Sequence, residues 1–127
     1  MVPRNKWLLL AAVWFVVIWV GLLRNNLGND MPPMFPHFDK FAHCALFFAQ
    51  IWLLARAWLA QQQRPPYLFL AIFAVLFAAG SEMAQALFTQ RTGDVWDMVA
   101  DLVGASLALL LARNVSRNQL HLKQPNN

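Results

Sequence analysis

A chain of 127 residues that is 59% hydrophobic and 13% charged departs from soluble domains, which average about 45–50% apolar and about 25% charged. A water-soluble fold this small would leave much of that apolar surface wet, so the composition excludes an ordinary globular domain and favours lipid as the solvent. The formal charge of +4 does not signal nucleic-acid binding, because no run of five Lys/Arg exists and the basic residues flank apolar stretches.

Trp7 to Leu23 is an uncharged run preceded by Arg4 and Lys6. A secretory signal peptide is the competing reading. The run exceeds a usual h-region, and Gly21-Leu22-Leu23-Arg24 offers no convincing cleavage site, which favours a retained first span. Asn25 to His37 holds Gly28, Pro32, Pro33 and Pro36 and reads as a loop. Asp39 stands where a helix would begin, and the second apolar stretch runs to Leu59, with the single Cys44 inside it as a small core hydrophobe. Gln61 to Pro66 is a polar turn ending in two prolines. These stretches predict an all-α membrane protein, a four-transmembrane-helix bundle with both termini cytoplasmic. Its domain covers residues 1–113, with spans over about 7–23, 39–59, 66–88 and 95–112. Residues 114–127 are expected to form a flexible cytoplasmic tail.

The basic residues give the orientation. With the termini inside, the cytoplasmic side carries Arg4, Lys6, Arg56, Arg64, Arg113, Arg117 and Lys123, and the outside carries Arg24, Lys40 and Arg91. Seven against three is a positive-inside bias. A multi-pass protein of a bacterial plasma membrane is expected, with the first loop and the turn from Thr89 to Asp94 facing outward.

Ionisable residues inside the spans need a reason, since one at a helix centre costs about 2.5–3.5 kcal/mol on the insertion scale. Span three outweighs its Glu82 with ten Leu, Ile, Val or Phe residues, whereas span four has eight and carries both Asp97 and Asp101. Those acids must therefore lie near the interface, be partnered, or be protonated. Asp97, Asp101, Gly104 and Ala108 share a face of span four, with Asp94 close to it one turn earlier. Asp39, His43, Leu46 and Gln50 share one on span two, and Ala78, Glu82, Gln85 and Thr89 one on span three. At about 1.5 Å per residue, His43, Glu82, Asp97 and Asp101 all fall within about 9 Å of the outer ends. Small residues, Ala78 to Ser81 on span three and Ala100, Gly104 and Ala108 on span four, allow close helix approach.

At these residues the chain resembles the VanZ-like family of small membrane proteins. Asp39-Lys40-Phe41-Ala42-His43, followed by Phe47, is similar to the family's Asp-Lys-x-x-His opening. Glu82-x-x-Gln85 and then Arg91, Asp94, Asp97, Asp101 and Gly104 resemble its second block. Asp101 stands where many members have Asn, which adds an acid to the cluster. The resemblance covers about residues 7 to 112 and implies a four-helix membrane fold. The family's namesake lowers susceptibility to the glycopeptide teicoplanin.

The leading functional expectation is an envelope protein that binds or modifies a lipid-linked or cell-wall head group through an outward-facing polar pocket. Its ligand-binding candidates are Asp39, Lys40, His43, Glu82, Gln85, Arg91, Asp94, Asp97 and Asp101, with Lys40 and Arg91 contacting phosphate or carboxylate. The alternatives are an intramembrane enzyme and a small proton-coupled carrier with Glu82 and Asp101 as relay groups. For the enzyme, His43, Glu82 and Asp97 are the candidate acid–base residues. No metal is expected, though His43, Glu82, Asp97 and Asp101 are the set able to hold a divalent cation. The cofactor and the oligomeric state stay open, and the expected partners are the bilayer and a lipid-linked or cell-wall precursor.

Overall fold

A computed structural model describes residues 1–24, 35–89 and 92–123. Its four helices are α1 (Lys6–Leu23), α2 (Phe38–Leu59), α3 (Tyr67–Phe88) and α4 (Val95–Lys123). All four are long and apolar enough to cross a membrane. The expected loop over residues 25–34 and the candidate Arg91 lie outside the described residues.

Local chemistry sets the helix ends. Asn5 caps α1: its side-chain oxygen accepts the backbone N–H groups of Trp7 and Leu8, and its Nδ2 donates to the Ala57 carbonyl at 2.7 Å. One residue thereby satisfies orphan donors of α1 and ties it to the far end of α2. The chain leaves α2 through a Schellman-type turn, in which the Gln63 N–H reaches the Trp58 carbonyl and the Gln62 N–H reaches that of Leu59. Gln62 takes the left-handed conformation (φ 54°) that this turn requires.

The expected fourth span ends near Ala112 and the expected tail begins at 114, but α4 continues to Lys123. No Gly or Pro interrupts the sequence before Pro125, and the extra turns have partners. Ser116 is buried, Val115 packs beside Ala55, Leu59 and Leu70, and Gln119 Nε2 donates to the Leu59 carbonyl at 3.4 Å. Helix continues because tertiary contacts reward it.

The outer surface is apolar, as is most of the core, and a polar minority is buried inside. The lipid-ward surface is apolar, with Leu9, Val13 and Val16 of α1, Phe69, Ile72 and Leu76 of α3, and Val103, Leu107 and Leu110 of α4 exposed. The interior holds His43, Gln50, Ser81, Gln85, Asp97 and Asp101. Only a lipid solvent makes that distribution favourable. Near the α1 side, Phe47 stacks on Phe77 at 4.7 Å and Trp14 Nε1 donates to the Leu46 carbonyl.

The close pair is α2 with α4. The buried stripe of α4 runs Asp97, Asp101, Gly104, Ala105, Ala108, Ala112 and Ser116, and every residue after the two acids is small. A Cβ on Gly104 would land on the carbonyl oxygen of Cys44 and lie 2.9 Å from its carbonyl carbon. Backbone meets backbone there, as small-residue seams allow in membranes. On α3 the expected small run divides. Ala78 and Ser81 are buried, Ala79 is exposed, and Gly80 faces open space.

Candidate functional site

The polar side chains meet at one end of the bundle, where α2 and α4 begin and α3 ends. Asp94 starts α4 as its cap: its Oδ1 accepts the Trp96 N–H at 2.9 Å and its carbonyl accepts the Asp97 N–H at 3.0 Å. A capping carboxylate satisfies an orphan donor and sits at the positive end of the helix. The pattern Asp-x-x-Asp ahead of an apolar run carries that signal in the sequence.

This cap sets Asp97 in the first turn of α4, within reach of α2. Lys40 Nζ lies 2.9 Å from Asp94 Oδ2, 3.3 Å from Asp39 Oδ2 and 3.4 Å from Asp97 Oδ1. One turn deeper on each helix, His43 Nδ1 lies 2.8 Å from Asp101 Oδ1. Against an ionised Asp101, which only accepts, Nδ1 is the donor. The other ring nitrogen, Nε2, is 3.7 Å from Asp97 Oδ2, too far for a hydrogen bond. From α3, Glu82 Oε2 accepts the backbone N–H of Asp94 at 3.1 Å.

The site is graded from wet to dry. The side chains of Asp39 and Asp94 are 40% and 38% exposed, that of Lys40 28%. His43 and Asp97 are each 3% exposed, and Asp101 is fully covered. Burial of an unpartnered charge costs several kcal/mol, which is why each deep acid has at least one polar contact. Two oxygens, Glu82 Oε1 and Asp101 Oδ2, are buried with no hydrogen-bond partner among the described residues.

Seven candidates thus stand together: Asp39, Lys40, His43, Glu82, Asp94, Asp97 and Asp101. Gln85 is engaged elsewhere. Its Nε2 donates to the Leu22 carbonyl at 3.2 Å, filling one of the acceptors left open where α1 ends, and Thr89 Oγ1 donates to the Gln85 carbonyl. Asp101 sits behind the imidazole, on Nδ1, so of the four residues expected to be able to hold a cation, His43, Glu82 and Asp97 bring ligand atoms within 4.8 Å of one another; the outer acids Asp39 and Asp94 form a second such group with Asp97, and Lys40 already occupies it. Lys40 meets three carboxylates, and the direct phosphate contact expected of it would compete with all three. Polar spacing leaves out Phe35, Phe38 and Phe41, which pack edge to face and stay exposed at the head of α2. Their recurrence every three residues is the signal that marks them.

Four apolar helices around a buried acid–histidine cluster define a multi-pass helical membrane protein. The VanZ/LLP1 family model matches residues 4–116, and the chain belongs to that family. An uncharacterised protein of the yeast Schizosaccharomyces pombe is 37% identical over 73 residues, 58% of this chain and 45% of that protein. The match therefore spans less than half the length of that curated relative. No solved structure matches the chain.

Proposed function

We propose that this protein binds, at the membrane surface, the polar head group of an amphiphile such as a lipid-linked or cell-wall precursor, with the cluster from Asp39 to Asp101 as the receiving site. The observation that carries this reading is the gradient from half-open Asp39, Lys40 and Asp94 to enclosed His43 and Asp101, at an end that also exposes Phe35, Phe38, Phe41 and Trp96. A polar recess beside an aromatic surface suits a molecule with a wet head and an apolar tail. Five carboxylates against Lys40 and His43 make the site acidic, which favours hydroxyl, amide or cationic groups, or an anionic head brought in with a cation. The family resemblance supports an effect on glycopeptide susceptibility. The basic residues at the opposite end support a cytoplasmic location for both termini.

The test uses a host lacking its own copy, complemented with wild type, Asp97→Asn or Asp39→Asn. Wild type should change sensitivity to a panel of envelope-targeting antibiotics including teicoplanin, and should carry a co-purifying amphiphile detectable by native mass spectrometry. Asp97→Asn should lose both while keeping its membrane level. No difference between wild type and empty host across the panel, with no amphiphile retained, sinks the proposal.

A second reading, intramembrane acid–base chemistry, draws on the His43–Asp101 pair. A carboxylate on Nδ1 orients the ring and leaves Nε2 as the working atom. Head-group turnover that survives His43→Gln would dispose of it.

A further inference from the structure

Three residues of the cluster repeat one arrangement. His43 is held at Nδ1 by Asp101, 2.8 Å away. Asp97 is held at Oδ1 by the Lys40 ammonium at 3.4 Å, and Glu82 is held at Oε2 by the Asp94 N–H at 3.1 Å. In each case one polar atom is fixed by a second residue and the other is left over: Nε2, Oδ2 and Oε1. Nε2 and Oδ2 stand 3.7 Å apart, and Oε1 is buried without a hydrogen-bond partner among the described residues. One ligand atom from each of His43, Glu82 and Asp97 lies within 4.8 Å of the others.

We propose that His43, Glu82 and Asp97 bind one divalent first-row metal ion, of the Zn²⁺ or Mn²⁺ class, with Asp101 and Lys40 orienting the ligands from outside. Distance separates this from a proton-sharing network. Charge-assisted hydrogen bonds between nitrogen and carboxylate close to about 2.7–2.9 Å. Ligands on an ion at about 2.1 Å stand about 3.0–4.2 Å from one another, from a right angle to a straight line. The separation of 3.7 Å between His43 Nε2 and Asp97 Oδ2 falls in the second range. The Glu82 ligand atom lies within 4.8 Å of the other two, and tetrahedral ligands at about 2.1 Å stand about 3.4 Å apart, so it needs a contraction of at most about 1.4 Å.

The donor set decides the class of ion. One imidazole nitrogen with carboxylate oxygens suits Zn²⁺ and Mn²⁺, whereas Mg²⁺ and Ca²⁺ favour all-oxygen sites. A carboxylate behind the metal-ligating imidazole is the usual outer-shell device, fixing the tautomer that leaves Nε2 free. Charge agrees: the acids outnumber Lys40 and His43, and a dication offsets the excess. Three protein ligands leave a position for water or for an oxygen of an incoming group. That open position is how an acidic site would accept a phosphate or carboxylate, a step that rests on the head-group reading. Occupancy of the site does not.

Full-length protein, purified in detergent and stripped with chelator, is reloaded separately with Zn²⁺ and Mn²⁺, desalted and analysed for bound metal. Wild type should retain one ion per chain, and its X-ray absorption spectrum should show imidazole scattering. His43→Gln and Asp97→Asn should weaken binding by more than about 100-fold, and Asp101→Asn by about 10–100-fold, as outer-shell changes do. Lys123→Ala, at the opposite end, should bind as wild type. Wild type that holds neither ion, a spectrum without imidazole, or His43→Gln binding like wild type each overturns the proposal, and the spectrum decides even where a variant fails to fold. Absence of metal alongside an intact envelope phenotype removes this site and leaves the head-group reading. Bound metal without that phenotype does the reverse.

Discussion

Lys40 is the hinge of the cluster's electrostatics. Its ammonium lies within 3.4 Å of carboxylate oxygens from Asp39, Asp94 and Asp97, the last two at the start of α4, more than fifty residues away. Remove the charge and the three acids face one another in a site that is dry at its Asp97 side. Lys40→Met, which keeps the stem, should lower the melting temperature in detergent by several degrees. Lys40→Met with Asp97→Asn should recover part of the loss, because the second change removes one of the carboxylates left uncompensated. Equal melting of wild type and Lys40→Met would show that water already screens these pairs. Deeper in, His43 is the residue whose two ring nitrogens meet different acids, Asp101 and Asp97. One contact is a hydrogen bond and the other is not, and that asymmetry gives the ring a working side.

At the scale of elements, the meeting of α2 and α4 depends on what α4 lacks. From Gly104 to Ser116 its buried face carries nothing larger than Ser, so the helices approach until Gly104 touches the Cys44 backbone. Cys44 follows His43 and Gly104 lies one turn below Asp101. The contact that brings the backbones together is therefore the one that brings imidazole to carboxylate. Gly104→Ala inserts a methyl group where the neighbouring atoms are backbone, which cannot rotate away. Overpacking of this kind costs about 1–3 kcal/mol, and here it should also lengthen the His43–Asp101 bond. The imidazole N–H resonance in a ¹⁵N spectrum should shift toward that of a freely solvated ring, while Gly80→Ala, beside open space, should leave both stability and spectrum unchanged. Equal effects from the two substitutions would refute the backbone contact. The overrun of α4 belongs to the same scale: Gln119 and Val115 dock on the end of α2, and the helix persists where composition alone reads as tail.

Charge separates along the whole molecule. Of the six acids, Asp30 lies outside the described residues, and the other five sit at the end where α2 and α4 begin. Lys6, Arg56, Arg64, Arg113, Arg117 and Lys123 sit toward the opposite end, where Arg56 lies 4.6 Å over the Trp7 ring. On the proposed orientation the basic end faces the cytoplasm. In a Cys44→Ala background, a membrane-impermeant maleimide should label Thr92→Cys in intact cells and Gln62→Cys only after permeabilisation. The reverse pattern would invert the molecule and move the site to the cytoplasmic surface.

Solvent preference and helix count are properties of short windows, and the sequence by itself determined them. Apolar runs long enough to span lipid, broken by Gly28, Pro32 and Pro33, by Pro65 and Pro66, and by the turn at Gly93, specify four helices because a helix satisfies all its backbone hydrogen bonds within one segment in hydrocarbon. Periodicity also determined which polar residues share a face of each helix. What it could not supply was the rotation and depth of one helix against another, which packing across long separations decides. Only the tertiary structure turned Gln85 toward the Leu22 carbonyl, placed Asp101 behind His43 instead of beside Glu82, and gave Lys40 three carboxylate partners. Those outcomes follow from how closely two small-faced helices fit, a property of surfaces that meet only after the chain has folded.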